Sequence, residues 1–197
     1  LRGDERMASD GPDMPAIGTY RRVLLTRVVF GAVVGPRAWS QDGGIITFGG
    51  VARDAAYSIY VMTPWGDEVS ELTRHDPANV YATDPVWSRD GRAIAFSYRF
   101  GGLERRIYRM DADGGNLSPM SDGPRDFEPA WSPGDDAVAF TSAREGSDRQ
   151  GIYVNELDGT GDTLLTDPDE FAKGCSWRPA GDVIAYQLSD DRSINLH

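Results

Sequence analysis

The 197-residue chain holds one cysteine, Cys175, and two histidines, of which one is the terminal His197. A single thiol excludes an internal disulfide and a multi-thiolate metal site, and so few imidazoles exclude most zinc chemistry. Long apolar runs are missing as well. The best candidate, Val28 to Val34, falls far short of the roughly 20 residues a spanning helix needs. Positive charge is scarce: 20 basic against 31 acidic residues give a net charge of −11. Such a surface repels phosphate backbones and anionic headgroups, which argues against nucleic-acid and membrane-surface roles. Long helical periodicity is absent throughout. What remains is 40% hydrophobic residues with 23 Gly and 12 Pro, ordinary for a folded soluble chain and too apolar for a disordered one.

The chain repeats itself. Trp39, Trp87, Trp131 and Trp177 stand 48, 44 and 46 residues apart, each followed by a polar turn such as Ser88-Arg89-Asp90-Gly91. Nine residues after each tryptophan comes an aromatic, Phe48, Phe96, Phe140 or Tyr186, preceded by Thr47 or an alanine. A third apolar segment follows, Ile59-Tyr60, Ile107-Tyr108, Ile152-Tyr153 or Ile194-Asn195, and a fourth ends in Leu72-Thr73, Met120-Ser121 or Leu165-Thr166. Four short β-rich segments per 40–50 residues, punctuated by Gly, Pro, Asp and Ser, are the signature of a β-propeller blade. The fold class is therefore all-β: a propeller of four-stranded antiparallel blades, with four blades beginning near residues 36, 84, 128 and 174. The nine-residue step places tryptophan and aromatic on neighbouring strands, and the small residue before the aromatic faces the next blade.

Residues 20–197 form the propeller on this reading, and residues 1–19 are a connector or the remnant of an earlier blade. The fourth unit runs out after three strands. Tyr20-Arg21-Arg22-Val23-Leu24-Leu25-Thr26 resembles Thr163-Leu164-Leu165-Thr166 and is the expected source of its outer strand. Further blades, or a homodimer, are the alternative routes to ring closure. The first residues include acids and lack the apolar segment of a secretory signal.

Glu128-Pro129-Ala130-Trp131-Ser132-Pro133, Ala137 through Gly146, and Gly151-Ile152-Tyr153-Val154-Asn155 together resemble the TolB-type, WD-like propeller repeat. The third unit departs from it with Gly134-Asp135 in place of Asp-Gly, and the fourth with Arg178 in place of serine. The resemblance is specific for fold and weak for function. It implies a non-enzymatic scaffold for a protein or peptide partner, in a periplasmic or other extracytoplasmic setting, with the cytoplasm as the alternative. It also admits the propeller portion of a prolyl-oligopeptidase-type peptidase, or a funnel-site lyase or hydrolase. No Gly-x-Ser-x-Gly nucleophile elbow is present, so the chain itself is not expected to be an enzyme. No cofactor is expected.

Channel-mouth chemistry in such a fold centres on the residue three before each tryptophan: Pro36, Asp84, Glu128 and Gly174. Asp84 and Glu128, with His75, Asp76, Asp126, Asp169 and Glu170 on preceding loops, form a candidate site for a basic partner. The alternative is that these acids cap local amides or pair with arginine. Trp65, in a turn that breaks the repeat, is a candidate aromatic contact. Arg53, Arg99, Arg144 and Arg192 recur after each second strand, which argues for guanidinium bridges between loops or blades. Asp111-Ala112-Asp113-Gly114 begins like a calcium loop but lacks the later glutamate, so a hairpin is expected. Cys175, beside Trp177, is expected to be a packing residue.

Overall fold

The computed structural model describes residues 30–52, 57–73, 80–100, 102, 104–144, 149–190 and 193–195. Among them are fifteen strands, and no helix long and apolar enough to cross a membrane. The first unit contains β1 (Phe30–Trp39), β2 (Ile46–Ala52), β3 (Tyr57–Met62) and β4 (Ser70–Glu71). The second contains β5 (Val80–Trp87), β6 (Ala93–Phe100), β7 (Arg105–Asp111) and β8 (Ser118–Pro119). The third contains β9 (Asp126–Trp131), β10 (Val138–Ser142), β11 (Gly151–Asn155) and β12 (Asp162–Leu164). The fourth contains β13 (Ala172–Trp177), β14 (Ile184–Asp190) and β15 (Ser193–Asn195). Within each unit, strands pair antiparallel in chain order. The first three are four-stranded antiparallel units of the kind the repeat predicts, and the fourth shows three strands among the described residues. The expected outer strand at 20–26, and Arg53 and Arg192, lie outside the described residues.

This pairing gives each blade two rims. One, the turn rim, carries the first-to-second and third-to-fourth strand hairpins. The other, the linker rim, carries the second-to-third strand loops and the linkers into the next inner strand. Turn chemistry is local and repeated: Ser40, Ser88 and Ser132 donate their hydroxyls to Asp42, Asp90 and Asp136 at 2.6–2.8 Å. Gly43 and Gly91 supply the positive φ these turns need, and in the third blade Asp135 supplies it instead at 57°. The Asp111–Gly114 segment is a hairpin turn, with the Gly114 amide bonded to the Asp111 carbonyl at 2.9 Å.

The hydrophobic core is divided into layers between blades. Ala95, Ile107 and Met120 of the second blade pack with Val138, Phe140 and Trp131 of the third. Ala139 and Ile152 of the third pack with Trp177, Ile184 and Tyr186 of the fourth. Ala95 and Ala139 are completely buried, because any longer side chain there would hold the neighbouring sheet away. In the first blade the corresponding tryptophan, Trp39, is 52% exposed. At the other end of the series Val183 is 48% exposed and Ala185 is exposed, so the fourth blade's outward face is open among the described residues. Successive blades are stitched at the linker rim: Arg105 donates its amide to the Pro124 carbonyl at 2.8 Å and Ala172 to Gln150 at 2.7 Å.

Candidate partner-binding site

Each inner strand carries a register shift three residues before its tryptophan. The shift lies between Thr83 and Val86 in β5, opposite Ala139 to Thr141 in β9, and between Lys173 and Cys175 in β13. At each shift one residue adopts the left-handed conformation: Asp84 and Glu128 at φ 55° and Gly174 at φ 61°. A non-glycine residue in this region is uncommon and costs on the order of 1 kcal/mol, so its neighbours must hold it there. They do so through a hydroxyl that follows the buried aromatic of the second strand.

Ser97, next to Phe96, donates to Asp84 Oδ2 at 3.1 Å and accepts the Glu128 amide at 3.2 Å. Thr141, next to Phe140, donates to Glu128 Oε2 at 3.1 Å and accepts the Gly174 amide at 3.0 Å. Thr83 gives Asp84 Oδ2 a second hydroxyl at 2.9 Å. One hydroxyl per blade thus joins its own acid to the next blade's backbone. Among the described residues neither carboxylate is paired with an arginine. Asp84 is half-buried and Glu128 exposed.

The other candidate residues fall into three groups. Asp169 and Glu170 lie on the linker into β13, Asp169 exposed and Glu170 half-buried. The Asp169 carbonyl accepts Arg149 Nη1, and its amide donates to Asp167 Oδ1 at 2.8 Å. They share the linker rim with the start of β9. Asp126 is at that rim too but has no exposed surface; a buried carboxylate offers no face to a partner. Trp65, 67% exposed, sits in the β3–β4 turn at the opposite rim, so the structure does not bring it to the acids. His75 and Asp76 lie outside the described residues.

Asp126 belongs instead to a frame that the repeat pattern did not reveal. It accepts the Ser142 hydroxyl at 2.5 Å and the Gly123 amide at 3.1 Å. Burial pushes its carboxyl above the usual range, against the opposing pull of Ser121, Ser142 and Arg144. Asp162 goes the other way: burial works against ionisation, but Asn155, Asp122 and Arg144 outweigh it and hold the carboxyl low. Arg99 and Arg144 both do structural work, Arg99 over the Tyr81 ring at 3.9 Å and Arg144 over Tyr153 at 4.4 Å. Cys175 packs against the layer between the third and fourth blades. Burial raises its thiol to about 12, which keeps it protonated and unreactive at neutral pH. Among the described residues no group of three His, Cys, Asp or Glu side chains is arranged to hold a metal ion.

Comparison with known proteins adds to this geometry. Residues 16–197 match the family model of the TolB beta propeller domain. The chain is 32% identical over 108 residues to the Tol-Pal system protein TolB of Desulfosudis oleivorans, covering 54% of this chain and 23% of that one. It is 36% identical over 61 residues to the uncharacterized peptidase YuxL of Bacillus subtilis, 30% of this chain and 9% of that one. The chain therefore spans less than a quarter of the length of these curated relatives. Among solved structures, the putative TolB from Agrobacterium tumefaciens superposes with a TM-score of 0.71 at 22% identity, over 84% of this chain and 58% of that one. At that identity the likeness speaks for the fold alone.

Proposed function

Because the chain belongs to the TolB β-propeller domain family, we propose that it is a non-catalytic scaffold that docks a basic segment of a protein or peptide on its inner strands and linker rim. One observation carries this reading: Glu128 is exposed on an inner strand, held in a left-handed bulge, with Oε2 anchored by Thr141 and no basic partner among the described residues. A fixed, unneutralised carboxylate recognises an ammonium or guanidinium at small entropic cost. The net charge of −11 adds long-range steering toward a basic partner. The extracytoplasmic setting that the family resemblance implies goes with this reading.

Charge removal tests it. A fluorescein-labelled decalysine peptide should bind the wild-type chain, and Asp84→Asn with Glu128→Gln, which removes both charges but keeps oxygens that can accept the Thr83, Ser97 and Thr141 hydroxyls, should weaken that binding at least tenfold with little change in thermal midpoint. Loss of the folded state in this double variant would instead make these acids structural. A second reading, the propeller portion of a prolyl-oligopeptidase-type peptidase, is favoured by the 61-residue match to a peptidase. Hydrolysis of a proline-containing peptide by the natural full-length protein is its test.

A further inference from the structure

Arg144 gathers three carboxylates from three different segments. Its Nη1 donates to Asp122 Oδ1 at 3.0 Å and its Nη2 to Asp162 Oδ2 at 2.7 Å, 4.0 Å from Asp126 Oδ1. Asp122 lies on the linker from the second blade, Asp126 opens β9, and Asp162 opens β12. The same carboxylates also hold linker backbone: Asp162 Oδ2 accepts the Asp122 amide and Asp126 Oδ2 the Gly123 amide, both at 3.1 Å. Gly123 leaves the space that the guanidinium fills, since a Cβ there would collide with Arg144 Nη1. Ala143 closes the clamp by donating its amide to the Arg125 carbonyl at 3.0 Å.

Among the described residues this clamp is found in the third blade alone. At the position of Asp126, five residues before the tryptophan, the second and fourth blades carry Ala82 and Ala172, both fully buried. A buried carboxylate in place of a methyl group is unfavourable unless it is bonded and paired, so its presence calls for a role that alanine cannot fill. Two residues beyond Asp126 stands Glu128. We propose that Arg144 is a positioning residue for the docking site: by clamping Asp122, Gly123 and Asp126 it fixes how β9 enters its blade, and so the placement of the Glu128 carboxylate. The functional half of this inference rests on the docking reading above; the clamp itself does not.

Two measurements on the whole 197-residue chain separate the halves. Hydrogen–deuterium exchange reads the clamp with no partner present. Arg144→Gln should speed exchange at Asp122, Gly123 and Glu128 by about tenfold or more, while amides within β6 keep their protection. Unchanged exchange across 122–128 would overturn the positioning role. Titration with the labelled decalysine peptide reads the consequence: affinity should fall about tenfold in Arg144→Gln. Asp135→Asn, which disturbs a bridge at the opposite rim, should leave that affinity unaltered, so equal losses in both variants would reduce Arg144 to general stability. If the wild-type chain ignores the peptide, the docking reading fails and the functional half of the inference fails with it, whereas exchange still decides the clamp. Should Arg144→Gln not fold, Asp122→Ala, which removes one exposed link, carries the same comparison.

Discussion

The Asp135 carboxylate in the turn of the third blade accepts the backbone amide of Arg89 in the turn of the second, at 2.6 Å, and with its other oxygen that of Asp90 at 2.9 Å. The same residue holds φ at 57°, where the other blades use glycine. The reversed Gly134-Asp135 order is thus an inter-blade bridge. A carboxylate on two backbone amides contributes about 1–2 kcal/mol at a half-exposed site, more than the left-handed conformation costs an aspartate. Asp135→Gly should therefore lower stability by about 1 kcal/mol, even though it relieves the backbone. Asp135→Ala should lower it by roughly 2 kcal/mol, because both effects then act together. Urea denaturation of the three proteins checks the order; a glycine variant more stable than wild type would refute the bridge.

Two carboxyls in the Arg144 clamp respond to pH in opposite directions. Asp126 has its folded-state pKa raised by burial, so its favourable contribution is complete below the unfolded value of about 3.9 and is lost as pH rises through the folded one. Asp162, held low by Asn155, Asp122 and Arg144 against its burial, contributes above about 3.9 and loses that contribution as pH falls through its depressed value. The stability of Asp126→Asn should accordingly gain on wild type as pH rises from about 4 to 7. Asp162→Asn should be the less stable protein at pH 7, with a deficit that shrinks below about pH 4. Denaturant midpoints at four pH values would show the two trends; parallel trends would refute the assignment.

The blade architecture was legible because it repeats. Trp87, Trp131 and Trp177 recur with an aromatic nine residues on, and no local accident reproduces that in register. The small residue before the aromatic could likewise be placed, since strand alternation fixes its face, and Ala95 and Ala139 lie buried between blades. The candidate site was readable only in part. That Asp84 and Glu128 occupy equivalent positions follows from counting back from tryptophan. Their left-handed backbone does not, because it depends on a slip between paired strands that composition does not encode. The clamp was less visible still: Asp122, Asp126, Arg144 and Asp162 meet only once the linker from the second blade and three segments of the third have folded together. Trp65 stands out in the sequence as an aromatic that breaks the repeat, but its place in a third-to-fourth strand turn puts it at the rim opposite the acids.

Equivalent alanines in the third and fourth blades should answer differently to the same substitution. Ala139 is completely buried against Ile152 and the fourth blade, so Ala139→Leu forces the two sheets apart at a cost of about 1–3 kcal/mol. Ala185 occupies the corresponding position on β14 but is exposed, and Ala185→Leu should change stability by less than about 0.5 kcal/mol. Thermal melts of the two variants at equal concentration test the contrast. A large loss from Ala185→Leu would mean that this face is covered in solution.

Thr141 bridges the third and fourth blades through one hydroxyl, which donates to Glu128 Oε2 and accepts the Gly174 amide. Thr141→Val keeps the shape and the β-branching but removes both bonds. The Gly174 amide then loses its acceptor beside a buried layer, and Glu128 loses the contact that restrains its bulge. Removing one partner of a buried polar group costs about 1–3 kcal/mol, so the variant should be destabilised by roughly 2 kcal/mol. Thr141→Ser keeps the oxygen and should recover most of that, short of one methyl group's worth of burial, about 0.8 kcal/mol. Glu128→Gln separates the two bonds: an amide oxygen at Oε2 still accepts the Thr141 hydroxyl, so stability should barely change. If Thr141→Val is instead as stable as Thr141→Ser, the hydroxyl does not join the blades, and the left-handed bulge at Glu128 must be held by the strand register alone.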